Sequence, residues 1–152
     1  KSLQPAETRL EMCRLAVEET KFEVSDLEIR RKGASYTVDT LEQLAKIYPG
    51  SPLYLIVGED MFLTFLKWRN PQRIFQLATL CAAPRSEHGI RPLNEYARKI
   101  QALGAQVRIE NITYLPISST MVRETVKAGN DISEMVPKKV ADYIRRNHLY
   151  EE

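Results

Sequence analysis

Leu53-Tyr54-Leu55-Ile56-Val57-Gly58 constrains the fold of this chain more than any other stretch. Five consecutive apolar residues follow Pro49-Gly50-Ser51-Pro52, a cluster that stops a helix, and they end at a glycine. A run this short with no alternating polar residues suits a central parallel strand covered on both faces. Thr79 to Ala83 repeats the pattern, and Val107-Arg108-Ile109 reads as a third, shorter strand. Parallel strands need long crossovers, usually helical, and the intervening segments supply them. Asn70-Pro71 starts a helix to about Leu77, and Leu93 to Leu103 forms another. The sequence therefore predicts an α/β fold with a doubly wound parallel sheet, in which ligands sit at the carboxyl ends of the strands.

The flanking segments fit the same plan. Pro5 opens a helix in which Leu10, Cys13 and Val17 recur at helical spacing through about Thr20. Phe22 to Ile29 alternates as a strand would, with a slip at Ser25-Asp26, before a basic turn at Arg30-Arg31-Lys32-Gly33. Thr37 caps a second helix with Leu41, Leu44, Ala45 and Tyr48 as its apolar face. Pro137 to Arg146 is the terminal helix, with proline in its first turn.

With 152 residues, no repeats and no linker, residues 1–152 read as one domain. The 22 basic and 20 acidic residues are interspersed, which gives no support to nucleic-acid or membrane-surface partners. No apolar run approaches the ~20 residues needed to span a bilayer, and no signal-peptide pattern opens the chain. Cys13 and Cys81 sit in apolar-periodic segments and read as core thiols of a reducing compartment, so the expected location is cytoplasmic. The first residue is Lys1 and a helix follows almost at once, as in a chain that begins after something else.

The chemistry concentrates in Ile117-Ser118-Ser119-Thr120-Met121-Val122-Arg123, after the apolar run Ile112 to Leu115 and Pro116. Ser118 or Ser119 can cap a helix there, leaving backbone N–H groups and the positive end of the dipole free for an anion. Arg123 lies one turn beyond Ser119 on the same face, so its guanidinium can reach the same phosphate. Three more features fall where a strand end meets a helix: Ser35-Tyr36-Thr37-Val38-Asp39-Thr40, Gly58-Glu59-Asp60 and Lys67-Trp68. His88 and His148 have no partner at metal-ligand spacing, so zinc is not expected, and no P-loop or Cys-x-x-Cys motif occurs.

In motif order and spacing, with SYT-x-DT, G-x-D, KW and ISST-x-x-R, and in the ending Leu149-Tyr150, the chain resembles the bacterial nicotinate-nucleotide adenylyltransferases. These belong to the nucleotidyltransferase superfamily, and the resemblance runs from Lys1 to the carboxyl terminus. It implies a Rossmann-like fold and transfer of AMP from ATP to nicotinate mononucleotide. Pyrophosphate and nicotinate adenine dinucleotide would be the products, with Mg2+ held mainly by substrate phosphates. By the same resemblance, Ser118, Ser119, Thr120 and Arg123 bind ATP phosphates. Gly58 lets the nucleotide approach the strand end, Asp60 accepts from ribose hydroxyls and Arg85 reaches the nucleotide. Trp68 stacks on the pyridine ring, Tyr36 and Thr37 hold the nicotinate carboxylate, and Lys1 faces phosphate.

Two departures from the family pattern stand out. Glu59 replaces the small residue usual between Gly58 and Asp60, adding a negative charge beside a polyanion site. After Arg85 the chain continues Ser86-Glu87 instead of Pro-Gly. The family's amino-terminal His-x-Gly-His element, with the first strand and helix, does not occur in this sequence, a segment of about 45 residues for one βα unit. The chain is thus expected to be the carboxy-terminal three-quarters of such an enzyme. The alternatives are a nucleotide-binding fragment without turnover, or an adenylyltransferase for another acceptor. Homo-oligomerisation is left open by the motifs.

Overall fold

Three parallel strands and their crossover helices organise the middle of the chain in the computed structural model, which describes residues 3–85, 89–113 and 115–151. In chain order the elements are α1 (Ala6–Val17), α2 (Leu27–Arg31), α3 (Thr37–Ile47), β1 (Leu53–Gly58), α4 (Glu59–Leu63), a 3-10 turn at Phe65–Lys67, and α5 (Pro71–Leu77). They continue with β2 (Ala78–Ala83), α6 (Ile90–Gln101), β3 (Val107–Ile109), α7 (Ser119–Lys127) and α8 (Lys138–Arg146). No residue separates α5 from β2. The elements fall into two compact units, Lys32–Pro116 and Lys1–Arg31 with Ile117–Glu152.

In the unit Lys32–Pro116 the sheet order is β1-β2-β3, all parallel. Leu53 pairs with Ala78 and the register runs without a bulge to Gly58 with Ala83. This is the expected α/β arrangement, with strands linked by helical crossovers. Its core is one-sided: Leu80 of β2 is fully buried among Phe62, Phe65, Ile74, Leu93 and Ile100. Phe65 stacks between Trp68 and Phe75, and Phe62 meets the Tyr96 ring edge-on.

β2, not β1, is the central strand. Leu53, Leu55 and Val57 pack on the core, whereas Tyr54 and Ile56 are 52% and 83% exposed. A continuous apolar run therefore conceals an alternation in burial, because among the described residues only one face of β1 packs on the core. The Arg108 guanidinium lies over the Tyr54 ring, 5.6 Å from its centroid, and shields part of that open face.

The expected strand at Phe22 to Ile29 is replaced by irregular chain through Asp26 and the short helix α2. The Ser25-Asp26 slip is in fact a helix start. Ser25 Oγ accepts the Leu27 N–H, the Asp26 carbonyl accepts the Arg30 N–H, and the Asp26 carboxylate pairs with Arg30 at 2.7 Å. Residues 112, 113 and 115 carry no strand. On α3 the buried residues are Val38 and Leu41, while Tyr48 is an exposed C-cap. Cys13 is exposed and Cys81 half-buried, so neither is the core thiol expected.

The second unit packs α1, α7 and α8 around Val122, Ile132, Val140, Ala141 and Ile144. Lys139 Nζ lies 2.8 Å from Glu18 and 3.2 Å from Glu19, joining the end of α1 to the start of α8. Among the described residues, no helix is long and apolar enough to cross a membrane.

Two outcomes follow from this packing. Leu80→Ala empties the centre of the sheet core and should cost about 2–5 kcal/mol of stability, read as a lower urea midpoint. Between α3 and α5, Arg73 Nε donates to Glu42 Oε1 at 2.7 Å, and this bond holds the Glu42 carboxyl below its ordinary value. A carboxyl lowered in the folded state stabilises above the ordinary carboxylate range, and the contribution is lost as pH falls through the folded value. The midpoint difference between the native chain and Glu42→Gln should thus be present at neutral pH and close below about pH 4.

Candidate active site

Parallel pairing in register brings the carboxyl ends of β1 and β2 side by side, with Gly58 opposite Ala83. The residues that follow each strand are therefore neighbours. Around Gly58 the position a Cβ would take is open space, and its φ of −69° is one that any residue adopts, so it leaves the strand end approachable without strain. Asp60 Oδ2 lies 3.6 Å from Arg85 Nη1, and both side chains are largely exposed. Arg85 also donates its backbone N–H to Glu59 Oε2 at 2.6 Å. The three polar residues at these strand ends form one cluster, and the extra charge of Glu59 is spent on a main-chain donor.

A second cluster forms where α3 begins. Tyr36 is the N-cap by backbone conformation, and no side chain caps the helix, so Thr37 is its first residue and not the cap. The Tyr36 carbonyl accepts the N–H groups of Asp39 and Thr40. The N–H groups of Thr37 and Val38 lie ahead of those first helical bonds. Trp68 ends the 3-10 turn half-buried, stacked on buried Phe65 with centroids 4.5 Å apart. The turn is fixed from α6, whose Tyr96 hydroxyl accepts the Leu66 N–H at 3.0 Å. Next along the chain, Asn70 takes a left-handed conformation ahead of Pro71, turning the backbone sharply after the tryptophan. The Arg69 guanidinium then sits 4.3 Å from the centroid of the Tyr36 ring, which joins the SYT and KW motifs into one place.

Within the other unit, Ser118 resolves the choice of cap: its Oγ accepts the Met121 N–H at 3.2 Å, and its carbonyl accepts the Val122 N–H at 3.0 Å. Ser119 and Thr120 open α7 with their N–H groups ahead of those bonds. Arg123, half-buried, donates from Nη2 to Thr120 Oγ1 at 3.1 Å, folding back toward the helix start instead of extending into solvent. The adjacent Val122 is buried and anchors the helix.

Lys1 and His88 lie outside the described residues. His148 is exposed, with its Nδ1 3.0 Å from Glu151. Among the described residues, no group of three His, Cys, Asp or Glu side chains could hold a metal ion. Two contributors escape a reading of the sequence. Arg69 differs from any surface arginine only through its contact with Tyr36, and Tyr96 is an ordinary helix aromatic until its hydroxyl is seen to support the turn before Trp68. Adjacency of Arg69 to the KW pair was the one available signal.

Known proteins resemble this chain in sequence and in fold. A family model described as cytidylyltransferase-like matches residues 1–125. A probable nicotinate-nucleotide adenylyltransferase of Desulfitobacterium hafniense (strain Y51) is 40% identical over 146 residues, covering 93% of this chain and 70% of the relative. One from Thermus thermophilus is 37% identical over 147 residues, covering 96% and 74%. The fold matches that of Plasmodium falciparum nicotinic acid mononucleotide adenylyltransferase complexed with NaAD. The TM-score is 0.76 at 21% identity, over 99% of this chain and 77% of that one. On these grounds the chain belongs to the cytidylyltransferase-like family, and within it to the nicotinate-nucleotide adenylyltransferases.

Proposed function

We propose that this chain binds ATP and nicotinate mononucleotide and serves the transfer of AMP between them, forming nicotinate adenine dinucleotide and pyrophosphate in NAD biosynthesis. A phosphate oxygen of the mononucleotide attacks the α-phosphorus of ATP. The bond from that phosphorus to the bridging oxygen breaks, and pyrophosphate leaves with the electron pair. Such a step asks for little covalent chemistry and for close positioning of two polyanions in line.

The observation that carries the reading is the junction of Trp68, Arg69 and Tyr36 at the start of α3. It offers a ring platform backed by Phe65 beside a helix N-terminus with free donors. That combination suits a flat aromatic acid: Trp68 stacks on the pyridine ring, and Tyr36 and Thr37 receive its carboxylate. Lys1 is assigned to the same nucleotide by motif alone. For ATP, the open N–H groups of Ser119 and Thr120, the Ser118 cap and Arg123 bind phosphates. Gly58, Asp60 and Arg85 receive the nucleoside end.

Magnesium would enter with ATP as its phosphate complex. Both units belong, in this reading, to one nucleotidyltransferase domain. The free Cys13 and Cys81 fit a reducing compartment such as the cytoplasm.

Calorimetric titration separates the two substrate roles. Trp68→Ala should weaken nicotinate mononucleotide binding by about tenfold or more and leave ATP binding nearly unchanged. Equal losses for both ligands would refute the assignment. Arg123→Gln should do the reverse, weakening ATP by about tenfold with a reduced salt dependence, because a charge-assisted contact to phosphate is removed.

A further inference from the structure

Glu59 is the residue that the family pattern leaves unexplained, and its surroundings give it a task. It follows β1 directly, and the register of β1 with β2 sets it beside the residues that follow Ala83. Its Oε2 accepts the Arg85 backbone N–H at 2.6 Å. The same carboxylate lies over Gly89, where a Cβ would come within 2.8 Å of Glu59 Cδ and 2.9 Å of Oε1. The backbone of Gly89, at φ −70°, would accept any residue, so a side chain there would push the Glu59 carboxylate aside without straining the main chain. The next residue, Asp60, pairs with the Arg85 guanidinium from 3.6 Å. Consecutive carboxylates thus hold Arg85 at two points, Glu59 by the main chain and Asp60 by the side chain.

These two grips are not equivalent. The Asp60–Arg85 pair is solvent-exposed and 3.6 Å long, the kind of ion pair that holds a side chain weakly. It must also open if Asp60 turns to a ribose and Arg85 to a nucleotide. The bond from Arg85 N–H to the Glu59 carboxylate can persist through that exchange, since neither partner atom is asked to touch ligand. A carboxylate accepting a main-chain donor also has part of its charge satisfied, which lowers its cost beside a polyanion.

We infer that Glu59 is a positioning residue that fixes the backbone of Arg85 so that its guanidinium is presented to ATP, and that glycine at position 89 leaves open the space its carboxylate occupies. This rests on the assignment of Arg85 to ATP, and the experiment is arranged so that the two can fail separately. Dissociation constants for ATP and for nicotinate mononucleotide are measured on the native chain, Glu59→Ala, Glu59→Gln, Gly89→Ala, Arg85→Ala and the doubles Glu59→Ala/Arg85→Ala and Glu59→Ala/Gly89→Ala.

Glu59→Ala should weaken ATP by about tenfold, the scale of one lost charge-assisted hydrogen bond, with nicotinate mononucleotide unaffected. Glu59→Gln, whose amide oxygen can still accept the Arg85 N–H, should restore ATP binding. Gly89→Ala should mimic Glu59→Ala but add nothing in the Glu59→Ala background, where the space has been vacated. Arg85→Ala should likewise mask the effect of Glu59→Ala.

Unchanged ATP binding in Glu59→Ala, with Arg85→Ala still damaging, would overturn the positioning role and leave Arg85 an ATP residue. No effect of Arg85→Ala would overturn the assignment of Arg85 and the inference with it. Equal loss of both ligands in Glu59→Ala, unrestored by glutamine, would reduce Glu59 to a stabilising side chain and equally overturn it.

Discussion

The in-register parallel pairing of β1 with β2 is the constraint from which the rest of the central unit is built. Each hydrogen-bonded step from Leu53–Ala78 to Gly58–Ala83 carries the two strands forward together, so they end level. Level ends bring Glu59, Asp60 and Arg85 into contact without any long loop reaching across. The same pairing sends Leu53, Leu55 and Val57 to the face occupied by Ala78, Leu80 and Ala82, and that face is where the helices gather. Packing and chemistry are in this sense two readings of one register.

Aromatic packing supplies the second element. Phe65 is fully buried and contacts rings on both sides, Phe75 toward the core and Trp68 toward the surface. The tryptophan is therefore held by the hydrophobic interior while part of it stays open to solvent. A side chain held this way loses little freedom when it stacks on a ligand, because its entropy has been given up in folding. The Tyr96 hydroxyl contributes to the same end by satisfying the Leu66 N–H, which the tight turn would otherwise leave without a strand or helix partner.

Much of this could be read from the chain alone. The strands at Thr79 to Ala83 and Val107 to Ile109 announce themselves by short apolar runs, and helices α1, α5 and α8 by a proline at the first helical position or just before it. The motif set marked the residues that cluster at the strand ends and at the start of α3. Burial proved harder to read, because hydrophobicity does not say how many neighbours a strand has. Ile56 is as apolar as Leu55 yet lies on the open face. Phe22 to Ile29 differs for another reason: it alternates in hydrophobicity, but Ser25 and Asp26 accept the Leu27 and Arg30 N–H groups and start a helix there. Glu59 and Arg69 were visible as letters, but their partners Arg85, Gly89 and Tyr36 are brought close only by the fold.

The direct junction of α5 with β2 has a consequence for how this chain can vary through evolution. Since Leu77 is helical and Ala78 is already in the sheet, no slack exists to absorb a change of length there. One inserted residue would shift β2 by a single step, and a strand's two-residue period would then turn Leu80 outward and Cys81 inward. Insertions and deletions should therefore be absent from this junction and accumulate instead at the turn of residues 102–104 after α6, ahead of buried Ala105 and of Gln106, whose carbonyl accepts the Leu80 N–H.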